Sequence, residues 1–265
     1  MKGIIDFHTH AFPDTIAARS VASLEEQGNI RAFLDGRIRS LLASMDKAGV
    51  EKSIVCSIAT KPSQFESIME WSRSIRSERI LPMPSVHPAD PGYEEKIRII
   101  KAEGFKGIKL HPFYQKFDIC EDRMLRMFEA ICRENLVVVI HTGYDIAFPG
   151  IERADPARIV NVSKRFPNLK LVTTHLGSMN QWHEVESLLA GRKIYMEISF
   201  SLELLGPGRA KEILLKHPKD HILFGTDSPW VDQSRALSGF MELDLGDDMN
   251  SAVLHDNAQR LLESV

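Results

Sequence analysis

The stretch Gly-Ile-Ile-Asp-Phe-His-Thr-His at residues 3–10 has the pattern of a short β-strand that ends in two histidines. Side chains alternate between the two faces of a strand, so the pattern predicts that Asp6, His8 and His10 share one face. Two imidazoles on one face could bind the same cation. A lone His-x-His is equally typical of ordinary polar residues at a strand end, so a metal site requires further ligands elsewhere in the chain.

Seven more apolar, strand-length runs follow, and helical segments separate them. The eight predicted strands lie at residues 3–10, 53–58, 80–86, 104–112, 136–141, 169–175, 194–199 and 222–227. The predicted helices lie at 37–48, 62–76, 90–102, 122–134, 155–166, 180–190, 207–216 and 249–263, with Gly49 ending the first and Asp90 and Asp155 as N-caps.

This alternation predicts an α/β fold of parallel βα units with right-handed crossovers. Eight units in 265 residues fit a (β/α)8 TIM barrel, a single domain over residues 1–265, better than an open doubly wound sheet. No Gly-x-Gly-x-x-Gly motif follows a strand, which argues against dinucleotide binding. The segment at residues 11–36 is long for a strand-to-helix connection and predicts a helical insertion over the site.

Charge and composition exclude several classes of partner. Lysine and arginine total 33 and aspartate and glutamate total 36, so a net charge of −3 gives no electrostatic case for nucleic acid or an anionic membrane. No run of apolar residues is long enough to span a bilayer, and no signal peptide is visible. Three cysteines without metal-like spacing indicate buried thiols in a reducing compartment, so we expect a cytoplasmic protein.

Polar side chains are concentrated at the predicted C-terminal strand ends, where barrel enzymes carry their catalytic residues. Six of the ten histidines lie there, together with one lysine and one aspartate: His8, His10, His87, Lys109, His111, His141, His175 and Asp227. A carboxylate that ends an apolar strand is costly to bury unless it is paired or bound to a metal, so we predict that Asp227 is a metal ligand or a catalytic base.

The other strand-end groups leave alternatives open. His141 is predicted as a ligand, although a core histidine fits its apolar strand, and His175 could be a ligand, a proton-transfer group or a supporting residue. Asp6 could orient the ligating imidazole of His8. Lys109 could form an ion pair with Asp6 or Asp227, anchor an anionic substrate, or be a modified lysine that bridges two metals.

The motifs in combination resemble the amidohydrolase superfamily, and most closely the branch called amidohydrolase family 2, which includes proteins similar to aminocarboxymuconate-semialdehyde decarboxylase. They are residues 6–10, 107–112, 141–143, 174–177 and 224–230, and a closing segment at 257–262. The resemblance implies that His8, His10, His141 and Asp227 bind one divalent metal ion, commonly zinc, and that His175 acts beside it. A second metal held by a carboxylated Lys109 is the less favoured reading, and a homodimer is expected only by family likeness.

Two enzyme hypotheses and one non-enzyme hypothesis follow. The first is a metal-dependent hydrolase that acts on a small amide, ester or lactone, with Asp227 or His175 accepting a proton. The second is a non-oxidative decarboxylase, a lyase, acting on an aromatic or unsaturated acid. The third is a barrel that binds a metal or ligand without turnover. The substrate is expected to be a small molecule, possibly a carboxylate, with four residues as its candidate contacts: Lys109, His111, Tyr114 and Trp230.

Overall fold

The chain folds into eight parallel strands that alternate with helices. The structure is a computed structural model that describes residues 3–265. The strands are β1 Ile4–Thr9, β2 Val50–Cys56, β3 Ile80–Met83, β4 Gly107–Leu110, β5 Val137–Ile140, β6 Lys170–Thr173, β7 Tyr195–Glu197 and β8 Ile222–Leu223. Each lies within or overlaps a predicted strand, so the predicted strand order is confirmed.

The helices of the described residues form the outer layer. They are α1 Asp14–Gly28, α2 Ile38–Ala48, α3 Phe65–Ile75, α4 Tyr93–Ala102, α5 Asp122–Arg133, α6 Pro156–Arg165, α7 Trp182–Glu184, α8 Leu202–Leu205, α9 Pro207–Lys216, α10 Gln233–Met241, α11 Asp247–Ser251 and α12 Asn257–Glu263. π-Helical turns at Val185–Leu189 and Ala252–Asp256 extend α7 and join α11 to α12. The insertion after β1 contains one helix, α1.

Backbone hydrogen bonds close the strands into a barrel. Strands β1–β3 form one parallel ladder and β4–β8 another. The amide of Lys109 donates to the carbonyl of Pro84 at 2.9 Å and joins the two ladders on one side. On the other side Phe7 N donates to Phe224 O at 2.8 Å, and Asp227 N donates to His8 O at 2.7 Å. Every strand therefore has two neighbours, which confirms the TIM barrel.

Two apolar clusters fill the barrel and its shell. The smaller cluster draws on β1, β2, β3, β5, β6 and β8 and on α12, including Phe7, Val139 and Leu261, and it fills the interior. The larger cluster packs the outer faces of the strands against the surrounding helices. Parallel strands buried on both faces are expected to read as continuous apolar runs, which is why they were recognisable in the sequence.

Two expectations about local structure were wrong, and two helices were missed. Asp90 is not the N-cap of α4, because its carboxylate accepts from Gly92 N in a tight turn and the helix begins only at Tyr93. Helices α8 and α10 were not predicted. Asp6 does not share the face of His8, because the β1 register is irregular between Asp6 and Thr9. By contrast Asp155, which accepts from two amides of α6, is an N-cap as predicted.

Candidate metal centre

Three strand-end side chains converge on one point. His8 Nε2 and His10 Nε2 are 3.1 Å apart, and they lie 3.4 Å and 3.1 Å from Asp227 Oδ1. His8 belongs to β1, and His10 follows that strand by one residue. Asp227 follows β8, which lies beside β1 in the closed barrel. Barrel closure therefore brings together residues that are more than two hundred positions apart in sequence. Such a group of two imidazoles and a carboxylate could hold a metal ion.

Hydrogen bonds hold the proton of each of the two imidazoles on Nδ1, so each Nε2 atom carries a lone pair. His10 Nδ1 lies 2.8 Å from the carbonyl oxygen of Cys56, which can only accept, so Nδ1 carries the proton. His8 Nδ1 lies 3.0 Å from the buried carboxylate of Glu197. Burial, and then the charge of Lys109, hold the pKa of His8 well below its usual value, so the ring is neutral. A neutral ring protonated on Nδ1 presents a lone pair on Nε2.

Asp227 is prepared as an anionic ligand. Burial alone would raise the pKa of this carboxyl group, but the positive charges that His8 and His10 carry when they are protonated outweigh burial and bring the pKa down to about 2. Its Oδ1 atom is buried and has no hydrogen-bond donor among residues 3–265. An anionic oxygen in this state is costly unless a cation binds it, so the residues present fit a metal ion.

Backbone strain marks the same rim of the barrel. His175 and Asp227 both adopt left-handed conformations, with φ of 57° and 61°. Residues with a Cβ atom pay a steric cost there, and such residues cluster at functional sites. The strain turns both side chains away from the extended path of their strands and into the cavity above the barrel.

His175 and His141 form a second, connected pair of imidazoles. His175 Nδ1 lies 3.2 Å from the carbonyl oxygen of Ser199, so Nδ1 is the donor and Nε2 can accept. His141 Nδ1 lies 3.1 Å from that Nε2 and therefore donates to it. This leaves His141 Nε2 as a lone pair, and that atom is buried without a hydrogen-bond partner among the described residues.

His141 does not lie with the first three residues. It forms a neighbouring group with His111 and Asp145, whose ligand atoms are all within 4.8 Å of one another. The His111 and His141 rings are stacked with centroids 4.3 Å apart. Asp145 Oδ2 lies 3.5 Å from His111 Nε2 and 3.7 Å from His141 Nε2. Burial raises the pKa of Asp145 to about 6. The predicted four ligands are thus divided between two adjacent groups.

Lys109 is fully buried beside the first group. Its Nζ atom lies 2.9 Å from His8 Nε2, the same atom that a metal ion would use. Within residues 3–265 no carboxylate lies within the 4.0 Å of an ion pair, so the structure does not contain the pairing with Asp6 or Asp227 that the sequence left open. A buried ammonium without a carboxylate is suited to an anionic ligand.

These groups open into one cavity of about 870 Å³ above the strand ends. The remaining predicted substrate contacts, Tyr114 and Trp230, line it together with His111 and Lys109. Helices α1 and α3 form part of its wall, in agreement with an insertion over the site. His87 does not line the cavity, and its ring accepts from the amide of Ala89.

A family model described as amidohydrolase matches residues 5–263 of the chain. The chain belongs to the amidohydrolase family. Its members are metal-dependent hydrolases and decarboxylases, so this amidohydrolase is an enzyme, and the resemblance seen in its motifs is confirmed. No curated protein sequence matches it.

Solved structures of low sequence identity share the fold of this amidohydrolase. An uncharacterised TIM-barrel protein from Bordetella bronchiseptica is 20% identical, with a TM-score of 0.78 and 99% coverage of both chains. A 2,6-dihydroxybenzoate decarboxylase, solved with 2,6-dihydroxybenzoate, is 15% identical, with a TM-score of 0.71 and coverage of 99% of this chain and 100% of the other. A putative 2-pyrone-4,6-dicarboxylic acid hydrolase from Pseudomonas putida is 15% identical, with a TM-score of 0.68 and coverage of 100% and 98%.

Sequence reasoning missed the residue that orients the ligands of this amidohydrolase. Glu197, on β7, is fully buried and accepts from His8 Nδ1, from the amides of His175 and Ser199, and from the Ser199 hydroxyl. Asp6 was expected to orient the His8 ring, but it bonds the His8 amide, Thr226 and Gln233 of α10 instead. A lone glutamate within an apolar strand was the available signal.

Proposed function

We propose that this amidohydrolase is a metal-dependent hydrolase of a small carbonyl substrate, an amide, an ester or a lactone. The observation that carries the proposal is the convergence of His8 Nε2, His10 Nε2 and the unpartnered Asp227 Oδ1 on one point. Neutral imidazoles and an ionised carboxylate are the ligand states that a divalent cation requires. A cation bound there supplies a Lewis acid, which acidifies water and polarises a carbonyl group.

We propose His141 as the fourth ligand. Its unprotonated Nε2 is buried and unsatisfied, and a buried polar atom without a partner is costly. The ring stacks on His111 and forms a group with it and Asp145, next to the group of the other three residues. His175 holds the His141 proton on Nδ1 and so keeps Nε2 unprotonated.

Residues at the strand ends and around the cavity are proposed to bind the substrate and to move protons. Asp227 is ionised and faces the same point as the two imidazoles, so we propose that it accepts a proton from the attacking water. His175, 5.7 Å from His8 between ring centroids, is the second candidate for this role. Lys109 and His111 are proposed to fix a carboxylate of the substrate, and Tyr114 and Trp230 to pack against its body.

The alternative is non-oxidative decarboxylation of an aromatic or unsaturated acid, with the same ligands. The buried Lys109 ammonium without a carboxylate partner favours an acid as substrate, and a decarboxylase is among the proteins of the same fold. A barrel that binds a metal without turnover is the least favoured reading, because the catalytic positions of the strand ends are occupied by suitable residues.

Further details of the proposal rest on chemistry and family likeness. Imidazole and carboxylate ligands suit zinc, manganese, iron and cobalt alike, and we propose zinc from family likeness. We propose one ion from family likeness, and a second ion bridged by a carboxylated Lys109 is the less favoured proposal. No helix among the described residues is long and apolar enough to span a membrane. The three free cysteines support a cytoplasmic location. We propose a homodimer from family likeness.

The test is a substrate panel run with metal-stripped and metal-reconstituted protein. Amides, esters, lactones and aromatic acids are supplied in ¹⁸O-labelled water, and product ¹⁸O and released carbon dioxide are both measured. Incorporation of ¹⁸O that depends on the metal supports the hydrolase. Carbon dioxide release without ¹⁸O incorporation supports the decarboxylase. Full activity of protein stripped of metal contradicts both.

A further inference from the structure

The cavity of this amidohydrolase has an apolar side away from the strand ends. Helix α1 contributes Ile16 and Leu24, helix α3 contributes Ile68 and Trp71, and Ile58 lies in the connection after β2. We call these five residues the apolar wall. The spacing of eight positions in α1 and three in α3 places each pair on one helical face, and the cavity side of the two helices also carries Ser20, Ser23, Gln27 and Ser67.

The size of the cavity exceeds what a substrate confined to the strand ends needs. Its 870 Å³ lies near the upper end of the range of about 300–1,000 Å³ for sites that enclose drug-sized ligands. The groups that bind metal or carboxylate all belong to the strand ends. A single-ring acid held there would leave the apolar wall in contact with water, although apolar surface gains stability when it is covered.

The charges around the cavity are also unevenly placed. Its only lining carboxylates, within the described residues, are Asp145 and Asp227, and both belong to the strand-end groups. Arg19 of α1 is the one charged residue that the two helices contribute, and among the described residues its guanidinium has no hydrogen bond or ion pair. This side of the cavity therefore disfavours a cationic group and accepts a neutral or anionic one.

We propose that the substrate carries, beyond its reacting group, a second ring or an alkyl chain that packs on the apolar wall. The substrate class is then an amphipathic carbonyl compound or acid, neutral or anionic. This inference rests on the proposed function only in taking the strand ends as the place of the reacting group. In this proposal Leu24 and Ile68 determine specificity for that second ring or alkyl chain.

The test measures binding and does not require turnover. Metal-loaded protein is titrated by calorimetry with benzoate, 4-butylbenzoate and 4-octylbenzoate. Affinity is expected to rise about fourfold for each methylene that leaves water completely, since burial of a methylene is worth about 0.8 kcal/mol. Leu24→Asn and Ile68→Asn, which remove apolar surface without adding charge, are expected to lose the gain in affinity with chain length.

Ala22→Asn is the matched control, because Ala22 is exposed on α1 and does not line the cavity. Circular dichroism checks that every variant folds, and α1 tolerates change because only Ala17 and Val21 of that helix are buried. The proposal is overturned if the three benzoates bind with equal affinity or if none of them binds. It is also overturned if affinity still rises with chain length in both wall variants. If affinity rises with chain length but the protein hydrolyses no substrate, the apolar wall is supported and the proposed function is rejected.

Discussion

Glu197 is the residue on which the geometry of the site depends most. It is completely buried on β7, and its two oxygens accept four hydrogen bonds, from one imidazole, two amides and one hydroxyl. By fixing the proton of His8 on Nδ1, it turns Nε2 toward Asp227 as a lone pair. By bonding the amide of His175, it also ties β6 to β7 at the rim where that residue takes its left-handed conformation.

We predict that Glu197→Gln weakens both metal binding and folding. An amide NH₂ would face donors that now meet a carboxylate oxygen, and each unsatisfied buried donor costs about 1–3 kcal/mol. Metal affinity is expected to fall about 10- to 100-fold, as for other residues that orient ligands. Competition with a chromogenic chelator and urea unfolding measure the two effects. Glu26→Gln, an exposed change on α1, is the control. Unchanged metal affinity in Glu197→Gln would remove the orienting role.

His217, remote from the site in sequence and in position, links folding to pH. It is 4% exposed at the end of α9, and its Nε2 donates to the carbonyl of Ile194. Burial lowers the pKa of His217 from 6.5 to about 4. In the range between these two values the unfolded chain binds the proton more readily than the folded one. Stability from this group is therefore complete above pH 6.5 and is lost as the pH falls toward 4.

We predict that the parent protein loses about 2 kcal/mol more than His217→Gln between pH 6.5 and pH 5, because one pKa unit corresponds to about 1.4 kcal/mol. Glutamine can still donate to Ile194, but it does not titrate. Urea unfolding at the two pH values, with metal removed, measures the difference. Equal pH dependence of the two proteins would show that His217 titrates with an ordinary pKa.

At the level of elements, helix α6 depends on one cap. Asp155 Oδ1 accepts from the amides of Ala157 and Arg158, at 3.0 Å and 3.1 Å. Asp155→Ala is expected to lower the free energy of unfolding by about 1 kcal/mol, and Asp155→Ser by less, since serine still caps. Asp14→Ala serves as a comparison, because Asp14 is exposed and makes no capping hydrogen bond. Thermal or urea unfolding measures the series, and equal effects of alanine and serine at Asp155 would contradict the cap.

The elements also show how much of the structure could be predicted from the sequence. Strands buried on both faces are apolar runs and were recognised, and so were polar residues that directly follow them, such as His141 and Asp227. Helix α10 was missed because residues 228–248 contain few of the apolar repeats that mark a helix. The stacking of His141 on His111 and the hydrogen bonds of Glu197 with His8 and His175 join side chains that are distant in sequence. No local pattern encodes such contacts, so tertiary structure was needed to find them.

At the level of the whole molecule, the hydrogen bonds that close the barrel predict that residues 1–265 unfold as one unit. Phe7 joins Phe224 and Lys109 joins Pro84, so neither ladder retains its edge partners if the other opens. We expect far-ultraviolet circular dichroism and tryptophan fluorescence to report the same urea midpoint for the metal-free protein. Two separated transitions would indicate that the chain is divided into independent domains.

The account as a whole requires a cation between the ends of β1 and β8. Anomalous X-ray diffraction at the absorption edge of the metal, from crystals of the protein as purified, tests this most directly. We predict one peak within bonding distance of His8 Nε2, His10 Nε2 and Asp227, with His141 turned toward it. A peak held by His111, His141 and Asp145 instead, or no peak at the strand ends, would contradict the proposed metal centre.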